Sequence, residues 1–133
     1  MKHKSNLTTD IAVISNDEIL LIKRRNEPFK DMWALPGGFV DENETILNCA
    51  KRELQEETNL ILQPKFHSFY DDPNRDPRGR YIAFAHVCYT NKENVSPIAK
   101  DDAKELDWFN TNNLPPLAFD HYIIIQNILN TAL

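Results

Sequence analysis

The stretch Arg52-Glu53-Leu54-Gln55-Glu56-Glu57 constrains this chain more than any other. From Thr45 to Thr58 there is no Gly or Pro, and Ile46, Leu47, Ala50 and Leu54 recur at helical spacing. The segment therefore reads as an amphipathic helix. Asn43 is the expected N-cap, with Glu44 in the first turn, where negative charge is favoured. Asn59 stands where a left-handed C-terminal residue belongs, a conformation that Asn tolerates better than most. At about 100° per residue, Glu53, Glu56 and Glu57 fall within an arc of roughly 100° beside the apolar stripe. Like charges so close repel. One side of this helix must pack on a sheet while the adjacent side shows three carboxylates to a common point. A hard divalent cation with oxygen ligands would turn that repulsion into attraction. A solvated acidic face explains a run such as "QEE" taken alone, so the case depends on what surrounds it.

The remainder reads as short strands. "DIAVISNDEILLIKRR" predicts strands at about Asp10–Ile14 and Glu18–Lys23, joined by a tight turn at Asn16-Asp17. "WALPGGFVD" reads as a strand broken by a Pro-Gly-Gly turn. "LILQPKFHSFYDD", "YIAFAHVCYT" and "AKELDWFN" read as three more strands, and His121 to about Asn130 as a final helix capped by Asp120, with Ile124, Ile125, Ile128 and Leu129 as its core stripe. The order β-β-β-α-β-β-β-α implies a mixed sheet with helices packed on it, in a single domain over residues 1–133.

Bulk properties exclude several classes. The formal net charge of -5 argues against a partner bound through nucleic-acid phosphates. No apolar run is long enough to span a bilayer, and "MKHKSNLTTD" is followed by no long apolar stretch of the kind a signal peptide has, so no membrane partner and a cytoplasmic location are expected. Cys49 and Cys88 sit in mostly apolar runs and read as reduced core thiols.

The spacing around the helix is decisive. Gly38, five residues, Glu44, seven residues, then Arg52-Glu53-Leu54-Gln55-Glu56-Glu57-Thr58-Asn59-Leu60 resembles the Nudix box, G-x5-E-x7-R-E-U-x-E-E-x-G-U with U aliphatic. Only the final Gly differs, and Asn59 is the next best residue for ending a helix with positive φ. The resemblance implies an α/β/α sandwich with a mixed sheet between helices. It also implies a Mg²⁺-dependent hydrolase, with Mn²⁺ as a substitute, that cleaves a nucleoside diphosphate linked to another group. By that resemblance Glu53, Glu56, Glu57 and the main chain at Gly38 hold metal, while Arg52 and Glu44 pair to fix Glu53. Arginine's planar fork suits such orientation, and Gly37-Gly38 would let backbone approach metal and pyrophosphate.

Further pieces, "RRNEPFKDMWALPGGFVD", "RDPRGR", "DDAKELDWF" and "LPPLAFDH", resemble the ADP-ribose pyrophosphatase branch of that family over about residues 10–125. This implies a small nucleotide-sugar substrate and places Arg25, Trp33, Gly37, Arg75, Asp76 and Arg78 near it. Trp33 reads equally as core, and the arginine loop equally as a charged surface turn. Asp102, with Glu105 behind it, is the candidate general base outside the box. A nucleoside triphosphate pyrophosphohydrolase and a catalytically silent nucleotide-sugar sensor stay open as alternatives. Apolar strand edges permit a homodimer.

Overall fold

The run Ile11-Ala12-Val13-Ile14 is apolar at every position, which a strand requires only when both of its faces are covered. The computed structural model describes residues 4–131, so the single-domain expectation for 1–133 reaches past the described residues at each end. Strands β1 (Asn6–Ser15) and β2 (Glu18–Arg24) form a hairpin whose turn places Asn16 at φ 52°. They are followed by β3 (Trp33–Ala34), β4 (Gly37–Phe39), α1 (Ile46–Thr58), β5 (Lys65–Tyr70), β6 (Tyr81–Tyr89), β7 (Ala103–Asn110) and α2 (His121–Thr131). One seven-stranded sheet results. Its single parallel pair of strands among the described residues is β1–β6, in register from Asn6 opposite Tyr81 to Ile14 opposite Tyr89. The other edge of β1 is handed from β4, at Thr8–Asp10, to β2, at Ile14–Ser15. β2 carries β7 on one edge and β3 on the other.

Alternation along β1 and β2 sorts the core into two layers. Ile11, Val13 and Leu20 pack with Ala50, Leu54, Leu60 and Cys88 on the α1 side. Ala12, Ile14, Ile19 and Leu21 pack with Ile124, Ile125 and Ile128 on the α2 side. Each fully buried large aliphatic side chain contributes roughly 1.5–3 kcal/mol, so α1 is bolted down chiefly by Leu54, with Ala50 one turn before it. This is the expected sandwich of two helices about a mixed sheet.

Several local expectations are corrected. Thr45, not Asn43, is the N-cap of α1; its hydroxyl accepts from the Asn48 N–H at 3.1 Å. Leu47 is exposed and Cys49 takes its place in the buried stripe. The segment before Pro64 is not strand; β5 starts at Lys65. The Asp120 carboxylate does not serve as a helix cap because Arg75 occupies it. Asn59 does end α1 in the left-handed region, at φ 63°, its N–H donating to the Gln55 carbonyl. Both cysteines are free and buried, and burial pushes each thiol up to about 12. Among the described residues no helix is long and apolar enough to cross a membrane.

Candidate active site

Gly37 and Gly38 form no turn. They are extended residues of β4, antiparallel to Asp10 and Thr9 of β1. Packing explains them. A Cβ on Gly37 would lie 2.0 Å from the Thr9 carbonyl oxygen, and one on Gly38 would lie 2.4 to 2.6 Å from the Glu53 carboxylate. The strand thus lies flat on a glutamate of α1, and any side chain there would displace it.

Arg52 organises the solvent side of this contact. Its Nε and Nη2 donate to the two oxygens of Glu44 at 2.9 and 2.6 Å, and Nη2 also donates to the Phe39 carbonyl at 2.9 Å. Nη1 donates to Glu53 Oε1 at 2.8 Å and to Glu56 Oε1 at 3.0 Å. The hydrogen bonds from Arg52 hold the Glu44 carboxyl down at about 2. Glu57 differs. It is 5% exposed, and its one hydrogen-bond donor is the Gly37 N–H at 2.7 Å. Burial, joined by the charges of Glu53 and Asp102, pushes its carboxyl up to about 8. Burial also raises Glu53, against the pull of Arg52.

Glu53 and Glu57 line a cavity of about 360 Å³ between α1, β1, β4 and the loops after β2 and β5. Asp102, just before β7, shares this lining, and Asn26 donates to its carboxylate at 3.4 Å. Across the cavity stands a basic wall of Arg24, Arg25, Arg75 and Arg78. Arg78 forms a fork with Asp76 at 2.8 and 3.1 Å and lies over the rings of Tyr81 and Phe119 at 4.7 and 5.6 Å. Arg24 covers the Phe119 ring at 5.0 Å, while its Nε donates to the Pro28 carbonyl. Burial and the neighbouring Arg78 charge lower Arg24. Two guanidiniums on one ring, partly desolvated, form a receptor for an anion. Phe119 itself is held at φ 53°, uncommon for a bulky residue. Asp10 and His121 close the end of the cavity beside Gly37.

A NUDIX domain family model matches residues 5–128. The chain belongs to the Nudix family. A relative from Methanocaldococcus jannaschii named ADP-ribose pyrophosphatase is 44% identical over 126 residues, covering 92% of this chain and 72% of its own length. The ADPR responsive transcriptional repressor NtrR of Acinetobacter baylyi is 34% identical over 90% of this chain, which spans only 51% of that protein. Among solved structures, a bifunctional NMN adenylyltransferase/ADP ribose pyrophosphatase from Francisella tularensis, complexed with AMP and a Mn ion, superposes with TM-score 0.87 at 37% identity; it covers 96% of this chain, and 42% of its own length is matched.

Within this Nudix hydrolase the fold brings most of the expected residues to one cavity: Arg25, Gly37, Gly38, Glu53, Glu57, Arg75, Asp76, Arg78 and Asp102 all line it. Others lie elsewhere. Trp33 packs edge-on against Phe109, centroids 4.7 Å apart, in the core layer under α2. Glu105 is 57% exposed and paired with Lys23. Arg75 reaches the cavity wall, but its guanidinium is spent on Asp120 at 2.6 and 2.9 Å. Glu56, 43% exposed, leans back to Arg52 instead of joining Glu53 and Glu57. Hence the three glutamates do not meet at one point, and among the described residues no three acidic, His or Cys groups form a ready cage. Sequence reasoning passed over Arg24 and Asp10. The signal for the first was the arginine pair itself, Arg24 ending β2 beside Arg25, both of which line the cavity. For the second it was a lone charge entering an apolar strand.

Does this donor set fit a divalent ion? It is all oxygen, it contains a buried carboxylate with no cation of its own, and it is incomplete. Mg²⁺ and Mn²⁺ favour oxygen, and Mg²⁺ binds through one or two carboxylates while keeping waters and substrate phosphates. The residues fit. Glu53 and Glu57 would hold the ion, with the Gly38 main chain adjacent and Glu56 within reach only on leaving Arg52.

Proposed function

We propose that this Nudix hydrolase splits ADP-ribose at its diphosphate, giving AMP and ribose 5-phosphate, with Mg²⁺ as cofactor and Mn²⁺ as its substitute. The observation that carries the proposal is the meeting of two charge sets in one cavity: Glu57, with no salt bridge among the described residues, and Glu53 share its lining with Arg24, Arg25 and Arg78. A bare diphosphate repels both the acidic wall and an incoming water. A divalent ion held by Glu53 and Glu57 would offset that charge and acidify a bound water. The chain's own residues do the rest. Arg52 and Gly38 fix Glu53, and Gly37 fixes Glu57, so the acidic wall needs no rearrangement. Arg24 and Arg78 orient the phosphates against it. Asp102 accepts the proton from the attacking water; one P–O–P bond breaks and water supplies the new oxygen.

The relative named ADP-ribose pyrophosphatase supports the substrate. The NtrR relative, named as ADPR responsive, supports a second reading in which the domain binds ADP-ribose and releases it whole. One assay separates them. With Mg²⁺ and ADP-ribose, NADH, dGTP or 8-oxo-dGTP, AMP from ADP-ribose is expected. Nucleoside monophosphate from dGTP or 8-oxo-dGTP alone would move the assignment to triphosphate cleavage, and binding without product would favour the sensor. For Asp102, the rate–pH profile of Asp102→Asn decides; one that superposes on the wild type removes Asp102 from this role.

A further inference from the structure

We propose that Asp10, held by His121, is the hydrogen-bond acceptor for the hydroxyl pair of a ribose joined directly to the reacting diphosphate. The inference rests on the ADP-ribose reading and adds a specificity residue to it. Asp10 is the one ionisable residue of β1, and it lies on the α2 face, where Ala12 and Ile14 are core. It is 7% exposed, yet it lines the cavity. Burying a carboxylate is costly unless something donates to it. His121 is its neighbour, within ion-pair distance. Its Nδ1 accepts the Leu35 N–H at 3.0 Å, so the neutral ring carries its proton on Nε2, 3.4 Å from Asp10 Oδ1. The imidazole is 4% exposed and tied to the backbone, so it stands as a fixed neighbour of the carboxylate.

Position then selects the ligand. Gly37 stands opposite Asp10 in the β1–β4 ladder, and a Cβ on it would come within 2.8 Å of Asp10 Oδ1. The same Gly37 donates its N–H to Glu57. Asp10 and Glu57 therefore flank one residue, and a group touching Asp10 is a neighbour of the diphosphate. That group cannot be a phosphate, which the carboxylate repels. It is a neutral donor, and the donors closest to a diphosphate in ADP-ribose are ribose hydroxyls. A carboxylate only accepts, and two vicinal hydroxyls can fill its two oxygens. Both ends of ADP-ribose carry such a pair, so the test has two arms.

Wild type and Asp10→Asn are compared on ADP-ribose and on two analogues, one lacking the 2-hydroxyl of the terminal ribose, the other that of the adenosine ribose. Asp10→Asn is expected to lower kcat/KM for ADP-ribose by about 10- to 100-fold, mostly through KM, the range for a hydrogen bond to a charged group. One analogue should be impaired to a similar degree in the wild type and lose little more in the variant; it identifies the ribose. If both analogues keep their full penalty in Asp10→Asn, the inference fails. It also fails if the defect vanishes at high Mg²⁺, which would make Asp10 a metal ligand. Should Asp10→Asn melt early, His121→Gln, which keeps the carboxylate but loosens it, should show the same coupling more weakly. A wild type inactive on ADP-ribose would instead retire the substrate reading itself.

Discussion

Two groups of carboxylates lie on and just before α1 and are treated in opposite ways. Glu44 and Glu56 lean on Arg52, a cation the chain supplies itself. Glu57, the residue next to Glu56, is buried with a single backbone N–H donor among the described residues and lies near the charges of Glu53 and Asp102. Glu53 belongs to both groups, with one oxygen on Arg52 and its carboxylate over the Gly38 backbone. The difference teaches where the chain spends its counter-charge: Arg52 braces Glu44, Glu53 and Glu56, while Glu57, proposed above to meet a divalent ion, is left bare.

The largest test of this contrast is Glu57→Gln. Turnover of ADP-ribose should fall by on the order of 10³-fold, the several kcal/mol expected of a lost metal site. The metal-free chain should melt no lower than wild type at pH 8. A folded variant with full activity would erase the distinction. Next comes Arg52→Lys, which keeps charge but loses the fork. Metal affinity or activity should drop by about 10- to 100-fold, with a lower melting temperature; the measurements are a Mg²⁺ titration of rate and a thermal melt.

The two groups should also titrate in opposite directions. Glu44 is held at about 2 against an ordinary 4.5, so its stabilising effect is full above 4.5 and lost as pH falls toward 2. Glu57 is raised from 4.5 to about 8, so it favours the metal-free fold below 4.5, an advantage lost as pH rises through 8. Thermal melts in chelator across pH should show both limbs. Mg²⁺ should restore more stability at pH 8 than at pH 5.5, because at the lower pH it must displace a proton. Glu44→Gln should flatten the acid limb only. The smallest effect belongs to Glu105→Gln, which removes an exposed pair with Lys23 outside the cavity lining; kcat/KM should stay within about twofold.

Much of this was legible in the sequence because spacing on a helix is rigid. Glu53, Glu57 and Arg52 were placed by counting residues, and Asn59 by its position after the last turn. Other features required the third dimension. The glycines look like a turn because Pro-Gly-Gly usually is one; what demands them is the Glu53 carboxylate and the Thr9 carbonyl, distant in sequence. Glu56 belongs to the acidic arc by angle, but rotamers decide its partner, and Arg52 at i−4 captures it. Trp33 has the composition of a stacking residue, yet a two-stranded pairing with Lys23 turns it onto Phe109. Asp10 and His121 lie at opposite ends of the chain, and no local pattern links them.

The parallel ladder of β1 with β6 has a kinetic corollary. Residues from the two halves of the chain must find each other before either strand is complete, and such non-local closure is slow. Every wall of the cavity hangs on those two strands or on what they support. No nascent fragment or proteolytic half can therefore hold part of the activity, and its appearance during refolding should coincide with the final ordering step of the whole chain.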